Sequence, residues 1–443
     1  MKLLPLFATL ASLTSLGSSK PTAVTSPFIN ARAPNGTLLQ DVVTWDADSI
    51  FVHGERLFLF SGDFAPFRLP VPSLWLDTMQ KIKAAGFNAI SFYPDWALLE
   101  GKRGEVSMDG VFDLEPFFDA AKEAGVYLIA RQGPYIHSET AGGGFPGWMQ
   151  RVKGTFRTTA PDYLSATDLY MKKVGAIISE AQITNGGPVI LVQVENEYSQ
   201  FNGKETGPNG DYFQYVIDQA RDAGIVVPIV NNDAHNNGIG APGNGTGAVD
   251  IYGYDSYPIG VGCWNLYDWP AGNLKENYWS LHLEKSPYTP HYIAEFQGGS
   301  GSGWGDEDAD TCYESVNEVF SRVVYKNNYA AAVKTQNLYP VFGGTNWGNL
   351  GYPVFVTSYD VGGTIREDRT LRREKFAEMR LQGEFFKVTP AYYSSRPTYS
   401  DSHTFTNTSA LRVTRLGDQD SDTSLFVIRH TAYESREVTP YRT

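Results

Sequence analysis

Residues 189–198 read VILVQVENEY, and this stretch decides the fold. An apolar run rich in branched side chains, broken only by Gln193, ends abruptly in Glu195, Asn196, Glu197 and Tyr198. A strand that is apolar along its whole length is covered on both faces, as in a parallel sheet flanked by helices. Its polar end stands where the active site of a parallel α/β barrel lies, at the C-terminal ends of the strands.

Outward from this stretch, runs of the same kind recur at 57–64, 88–93, 126–135, 226–231, 249–257, 291–296 and 334–342. Helical patterns separate most of them, at 73–85, 113–124, 162–181, 211–223, 273–285, 314–327 and 371–388. In the first, Leu76, Met79 and Ile82 recur at helical spacing; the second opens on Asp113 and stops before Gly125, as start and stop signals require. The segment between 226 and 249 is rich in Asn and Gly and carries no helical pattern. This alternation predicts an α/β fold, a (β/α)8 TIM barrel. A doubly wound sheet is the rival, but no glycine-rich phosphate fingerprint opens any of these helices.

Beyond about residue 390 the pattern changes. Residues 411–416 and 424–430 alternate around a turn-like 417–422, which predicts a β-hairpin in a short C-terminal β segment. The expected organisation is a signal peptide at 1–19, the catalytic barrel at 20–390, and the start of a β-rich, truncated second domain at 391–443.

The chain has 443 residues, 42% hydrophobic and 19% charged, enough apolar content for a large core. Lys and Arg total 36 against 49 Asp and Glu, a net charge of −13 that disfavours nucleic acid as a partner. At the N-terminus, MKLLPLFATLASLTSLGSSK places one lysine before an apolar run and small residues after it, a secretory signal pattern too short to span a bilayer. No membrane association is expected. Sequons at Asn35, Asn244 and Asn407 then read as glycosylation sites of a secreted protein. The two cysteines are Cys263 and Cys312. An oxidising compartment favours a disulfide between them, with two buried free thiols as the alternative.

The chemistry is sought at the strand ends. Glu295 closes the seventh barrel strand, just before the glycine-rich loop. A glutamate there is, taken singly, more often a salt-bridge partner than a catalyst. Two of them across a barrel mouth are what glycoside hydrolysis requires. Glu195 and Glu197 share alternation parity and are expected near one face. Glu197, nearer the end, takes the chemistry; Glu195, deeper, reads as a paired buried charge with Arg131 as candidate partner. His137, Ser138 and Glu139 follow the third strand and can orient sugar hydroxyls. Tyr93, Tyr257, Tyr339 and Tyr359 lie near strand ends, as core packing or as a wall for a sugar ring. Seven histidines without HxH or HxxxH spacing give a metal site little support. No G-x-S-x-G elbow supports a serine hydrolase.

Together, SFYPDWALLEGKRGE, RQGPYIHSETAGGGFPGW, VQVENEYSQF, GYDSYP, YIAEFQGGSGSGWG, NLYPVFGGTNWGNLG and TSYD resemble fungal β-galactosidases of glycoside hydrolase family 35. The motifs run across nearly the whole mature chain. The resemblance implies a retaining hydrolase that removes terminal β-galactose, with Glu197 as acid/base and Glu295 as nucleophile. It implies galactose contacts from Tyr93, Glu139, Asn196, Tyr257 and Tyr359, with His137 and Ser138 in the same loop. It also implies a Cys263–Cys312 disulfide, no metal or organic cofactor, and β-galactoside oligosaccharides or polysaccharides as partners of a monomer. Three departures stand out. His137 replaces the usual Asn, FNGKE at 201–205 replaces a region where relatives often carry adjacent cysteines, and relatives run much longer. These departures keep two alternatives in view: a galactose-binding pseudoenzyme or inactive truncated fragment, and a hydrolase of another β-glycoside.

Overall fold

The computed structural model describes residues 29–32, 36–200, 208–263, 269–353, 355–401 and 404–442. The expected signal segment, Asn35 and residues 201–205 lie outside them.

The chain enters through four short strands, β1 (Ile29–Asn30), β2 (Val43–Trp45), β3 (Ile50–Val52) and β4 (Glu55–Leu57), paired antiparallel in sequence order. The barrel then runs β5 (Leu59–Asp63), α1 (Trp75–Ala84), β6 (Ala89–Phe92), α2 (Trp96–Leu99), α3 (Glu115–Ala124), β7 (Tyr127–Gly133), α4 (Pro161–Glu180), β8 (Val189–Val194) and α5 (Gly210–Asp222). It continues with β9 (Ile229–Val230), β10 (Gly253–Ser256), α6 (Tyr278–Lys285), β11 (Tyr292–Gln297), α7 (Ala309–Tyr313), α8 (Glu318–Ala330), β12 (Thr335–Tyr339) and α9 (Arg373–Lys387). The eight strands β5 to β12 form one parallel sheet, with β12 beside β5. Parallel bridges Val230↔Ile251 and Asp233↔Tyr254 join β9 to β10 and complete the ring.

Local chemistry explains the element ends. Asn209 caps α5 by accepting from the Asp211 and Tyr212 amides, and Asn317 caps α8 by accepting from Val319 and Phe320. Gly125 closes α3 at φ 70°, a left-handed conformation that favours glycine. The strands are buried on both faces: every residue of β6, β8, β11 and β12 is buried. That is the continuous apolar reading expected of them.

One reading is corrected and one element is new. The apolar run 57–64 is not one strand: Leu57 ends the antiparallel β4 and the barrel strand starts at Leu59. The small N-terminal sheet had no signal of its own, because its strands are two or three residues long. The segment without a helical pattern, between β9 and β10, indeed carries no helix.

The C-terminal hairpin forms as β14 (Leu411–Gly417) and β15 (Ser424–His430), joined by a third strand, β13 (Arg396–Asp401). This sheet packs on the barrel. Leu416 and Tyr433 belong to the main apolar core, Arg396 grips Asp48 through Nε and Nη2, and Arg412 pairs with Glu276.

Candidate active site

The site is built where the strands end. Glu295 lies on β11, 6% exposed. The Arg131 guanidinium, from β7, donates to its Oε1, and the Tyr257 hydroxyl donates to its Oε2. Tyr93, just past β6, places its hydroxyl 2.7 Å from Asn196 Oδ1 and 3.2 Å from Glu295 Oε1. Asn232 Nδ2 joins the cluster, 2.8 Å from Asn196 Oδ1, 2.8 Å from Asp255 Oδ2 and 3.4 Å from Glu295 Oε1. Glu295 is thus an anchored carboxylate held against a buried cation.

Glu197 is placed differently. It follows β8 and is half-buried; its amide donates to Asn232 Oδ1 at 3.1 Å. Its carboxyl accepts no hydrogen bond from a described residue. Burial and then the charge of Glu295 push its pKa up to about 7, opposed in part by His137. Within one site, one carboxylate is bonded to a guanidinium and the other is not.

Glu195 does not share the surroundings of Glu197. The strand stops at Val194, and both glutamates adopt left-handed backbone conformations, φ 60° and 45°, so alternation parity no longer applies. Nor is Arg131 its partner. Arg157 grips Glu195 with two nitrogens, the closest contact being 2.6 Å, and the Tyr212 hydroxyl donates to it at 2.6 Å. Arg131 instead serves Glu295, with Asp63 at 3.9 Å. The reading of Glu195 as a paired buried charge stands with a different cation.

The loop after β7 supplies the third element. His137, Ser138 and Glu139 are three consecutive left-handed residues, φ 49°, 46° and 46°. Side chains rarely tolerate this conformation, so neighbours must hold it. Arg68 does so: it donates to the Ser138 carbonyl, reaches Ser138 Oγ at 3.1 Å and Asn346 Oδ1 at 2.9 Å, and lies 3.7 Å over the Tyr359 ring. Glu139 accepts from the Tyr359 and Tyr339 hydroxyls, the latter at 2.9 Å, and lies 3.1 Å from His137 Nδ1. Burial opposes its charge, but these bonds and the His137 charge hold its pKa down to about 2. His137 is itself desolvated, yet the bond and charge of Glu139 shift its pKa upward. Glu139, Tyr257, Tyr339 and Tyr359 line one recess.

All nine expected catalytic and sugar-contact residues therefore gather at one end of the barrel. Sequence reasoning missed Arg68, Asn232 and Asp255, and misassigned Arg131. Asp255 lay inside the quoted GYDSYP motif; nothing around Arg68 marked it. The Cys263–Cys312 disulfide is formed, with Cα atoms 5.3 Å apart, tying the loop after β10 to α7. The free-thiol alternative is set aside.

The pattern of glycosyl hydrolases family 35 matches residues 49–385. β-Galactosidase A of Aspergillus oryzae (strain ATCC 42149 / RIB 40) is 56% identical over 405 residues, covering 91% of this chain and 40% of that protein. A β-galactosidase of Aspergillus niger is 55% identical over the same shares. This chain spans about 40% of the length of the curated relatives it matches. Among solved structures, a family 39 glycoside hydrolase from Bacteroides cellulosilyticus WH2 aligns with TM-score 0.53 at 12% identity, over 90% of this chain and 76% of that one. A β-galactosidase from Marinomonas ef1 aligns with TM-score 0.51 at 13% identity, over 77% and 62%. At such identities the structural likeness speaks for the fold alone.

Proposed function

The chain belongs to glycosyl hydrolases family 35, and from that premise we propose that it is a retaining exo-β-galactosidase acting on terminal β-galactose. The observation that carries the reading is the contrast between its two carboxyls: Glu295 bonded to Arg131 and Tyr257, Glu197 accepting no hydrogen bond among the described residues, with its pKa raised to about 7. Environments that push two carboxyls apart assign acid and nucleophile.

In this mechanism Glu197 delivers its proton to the glycosidic oxygen as that bond breaks. Glu295, positioned by its bond to Arg131, attacks the anomeric carbon and forms a glycosyl ester. Glu197, now a carboxylate, takes a proton from water, which opens the ester with configuration retained. Asn196 and Tyr93 set the position of Glu295, while Glu139, Tyr359, Ser138 and His137 offer hydroxyl-binding groups, the first two in the recess that Tyr257 also lines. The two relatives' names supply the sugar: both are β-galactosidases.

NMR of the first-formed anomer from an aryl β-galactoside tests the reading. Initial release of β-galactose is expected; initial α-galactose removes the retaining mechanism. A galactose-binding protein without turnover is the second reading, motivated by His137 standing where the family resemblance implies Asn. Binding of galactose by folded protein with no hydrolysis selects it.

Secretion is part of the proposal and rests on residues 1–19. No helix among the described residues is long and apolar enough to cross a membrane. Asn244 and Asn407 are exposed, as glycosylation requires.

A further inference from the structure

Away from the strand ends, a cleft of about 850 Å³ opens between α8 and the C-terminal sheet. Arg322 and Lys326 line it from α8, Arg429 from β15, and Arg436 just beyond. The acids in its lining are Glu314 and Glu434, so positive charge prevails. None of these residues belongs to the site described above.

The cations differ in how they are balanced. Arg322 and Lys326 share Glu378, at 3.2 and 3.8 Å. Arg429 has no ion pair among the described residues, and its Nη1 is buried without a hydrogen-bond partner. Glu276, whose charge it feels, is engaged by Arg412. Burial and then Arg412 push the Arg429 guanidinium down to about 10. Arg429 as a whole is half-buried and lines the cleft, and a guanidinium with one nitrogen buried unbonded is unfavourable until an anion meets it.

Beside it stand two flat rings. Trp269 and Tyr433 stack nearly parallel, centroids 5.9 Å apart and planes 6° apart. Aromatic faces or edges suit the apolar C–H surface of a pyranose, and a guanidinium fork suits a carboxylate. The volume lies in the range of small-molecule sites. We propose that this cleft is a second saccharide site that takes a uronate-bearing oligosaccharide, its carboxylate on Arg429 and its ring against the half-buried Trp269, which the buried Tyr433 backs. The binding claim stands on the cleft. Its use, to hold an acidic glycan while terminal galactose is removed at the strand ends, rests on the glycosidase reading.

The test uses the whole chain carrying Glu295→Gln to block turnover, with calorimetric titration of trigalacturonate, β-1,4-galactotriose and triglutamate. Trigalacturonate is expected to bind, and added salt to weaken it. Arg429→Gln is expected to weaken it about tenfold, as loss of a charge-assisted fork does, with Arg429→Lys intermediate and galactotriose unaffected. If Arg429→Gln fails to fold, Lys326→Gln is expected to weaken trigalacturonate about threefold by loss of one partly screened charge. Absence of saturable trigalacturonate binding, or indifference to the folded variant, overturns the proposal. Tighter binding of triglutamate assigns the cleft to an acidic polypeptide and also overturns it. With Glu295 intact, Arg429→Gln should hydrolyse an aryl β-galactoside at the rate of the unsubstituted chain. Absent hydrolysis in both would end the glycosidase reading and leave the binding result standing.

Discussion

The two ends of the barrel bury ionisable groups in opposite ways. At the C-terminal end they are set against one another: Arg131 bonds Glu295 beneath Tyr257 and Tyr93, and burial with the charge of Glu295 pushes Glu197 up to about 7. At the N-terminal end, burial disfavours charge. His291 and Lys334 immediately precede β11 and β12; His291 bonds the Ala331 carbonyl at 2.8 Å and the Tyr254 hydroxyl at 2.9 Å. His282 stacks on it with ring centroids 4.6 Å apart. Lys334 donates to the Tyr392 and Ser395 carbonyls at 2.9 and 2.6 Å. Burial pushes His291 down to about 3 and Lys334 down to about 7, and moves His282 well below its ordinary value. The difference teaches that burial alone does not mark a catalytic group. What separates the ends is whether the group is anchored to carbonyls and rings or left facing another charge.

The largest expected effect breaks the charged end. Glu295→Gln should lower kcat on an aryl β-galactoside by ~10⁴-fold, since it removes one member of a unit that acts together; residual activity near the parent rate would remove Glu295 from the chemistry. Next, Glu197→Gln should cost ~10²–10⁴-fold on substrates with poor leaving groups and far less in galactosyl transfer to the enzyme from good ones. Equal losses on both would deny Glu197 the acid role.

The other end is probed by stability. His291 is neutral in the fold, while the unfolded chain binds its proton below about 6.5. Stability is therefore intact above that pH and falls as pH drops from 6.5 toward about 3. Over that range the loss is on the order of 5 kcal/mol. Denaturant midpoints between pH 7 and pH 4 should follow this fall, and His291→Gln should flatten it. An unchanged slope would place the acid sensitivity elsewhere.

The smallest effect sharpens the boundary between the ends. Glu197 must be protonated to act, so turnover should decline as pH rises through about 7. The His137 charge lowers the Glu197 pKa, so His137→Asn should move that limb of the pH profile to higher pH. A limb that stays or moves lower would mean that His137 and Glu197 are not electrically linked.

Much of this was legible in the sequence because parallel strands announce themselves as continuous apolar runs and because the polar residues of a barrel site follow those runs directly. Glu295, Asn196 and Glu197 are found that way. Arg68 was not, since it stands in a short loop turn with no periodic signal and reaches Ser138 across the barrel mouth. The Arg131 pairing was misread because a partner across a barrel is fixed by strand order, not by nearness in sequence. The Glu195 parity failed because the extended backbone ends one residue earlier, at Val194. The three-residue strands at the N-terminus are too short to alternate visibly.

The central claim is that Glu295 forms the covalent bond and Glu197 moves the proton. Incubation with a 2-deoxy-2-fluoro-galactosyl fluoride, followed by proteolysis and mass spectrometry, tests it directly. A galactosyl ester on Glu295, accumulating as turnover stops, is the expected result. An ester on Glu197, or release of fluoride at a steady rate with no adduct in the turnover-competent chain, would contradict it.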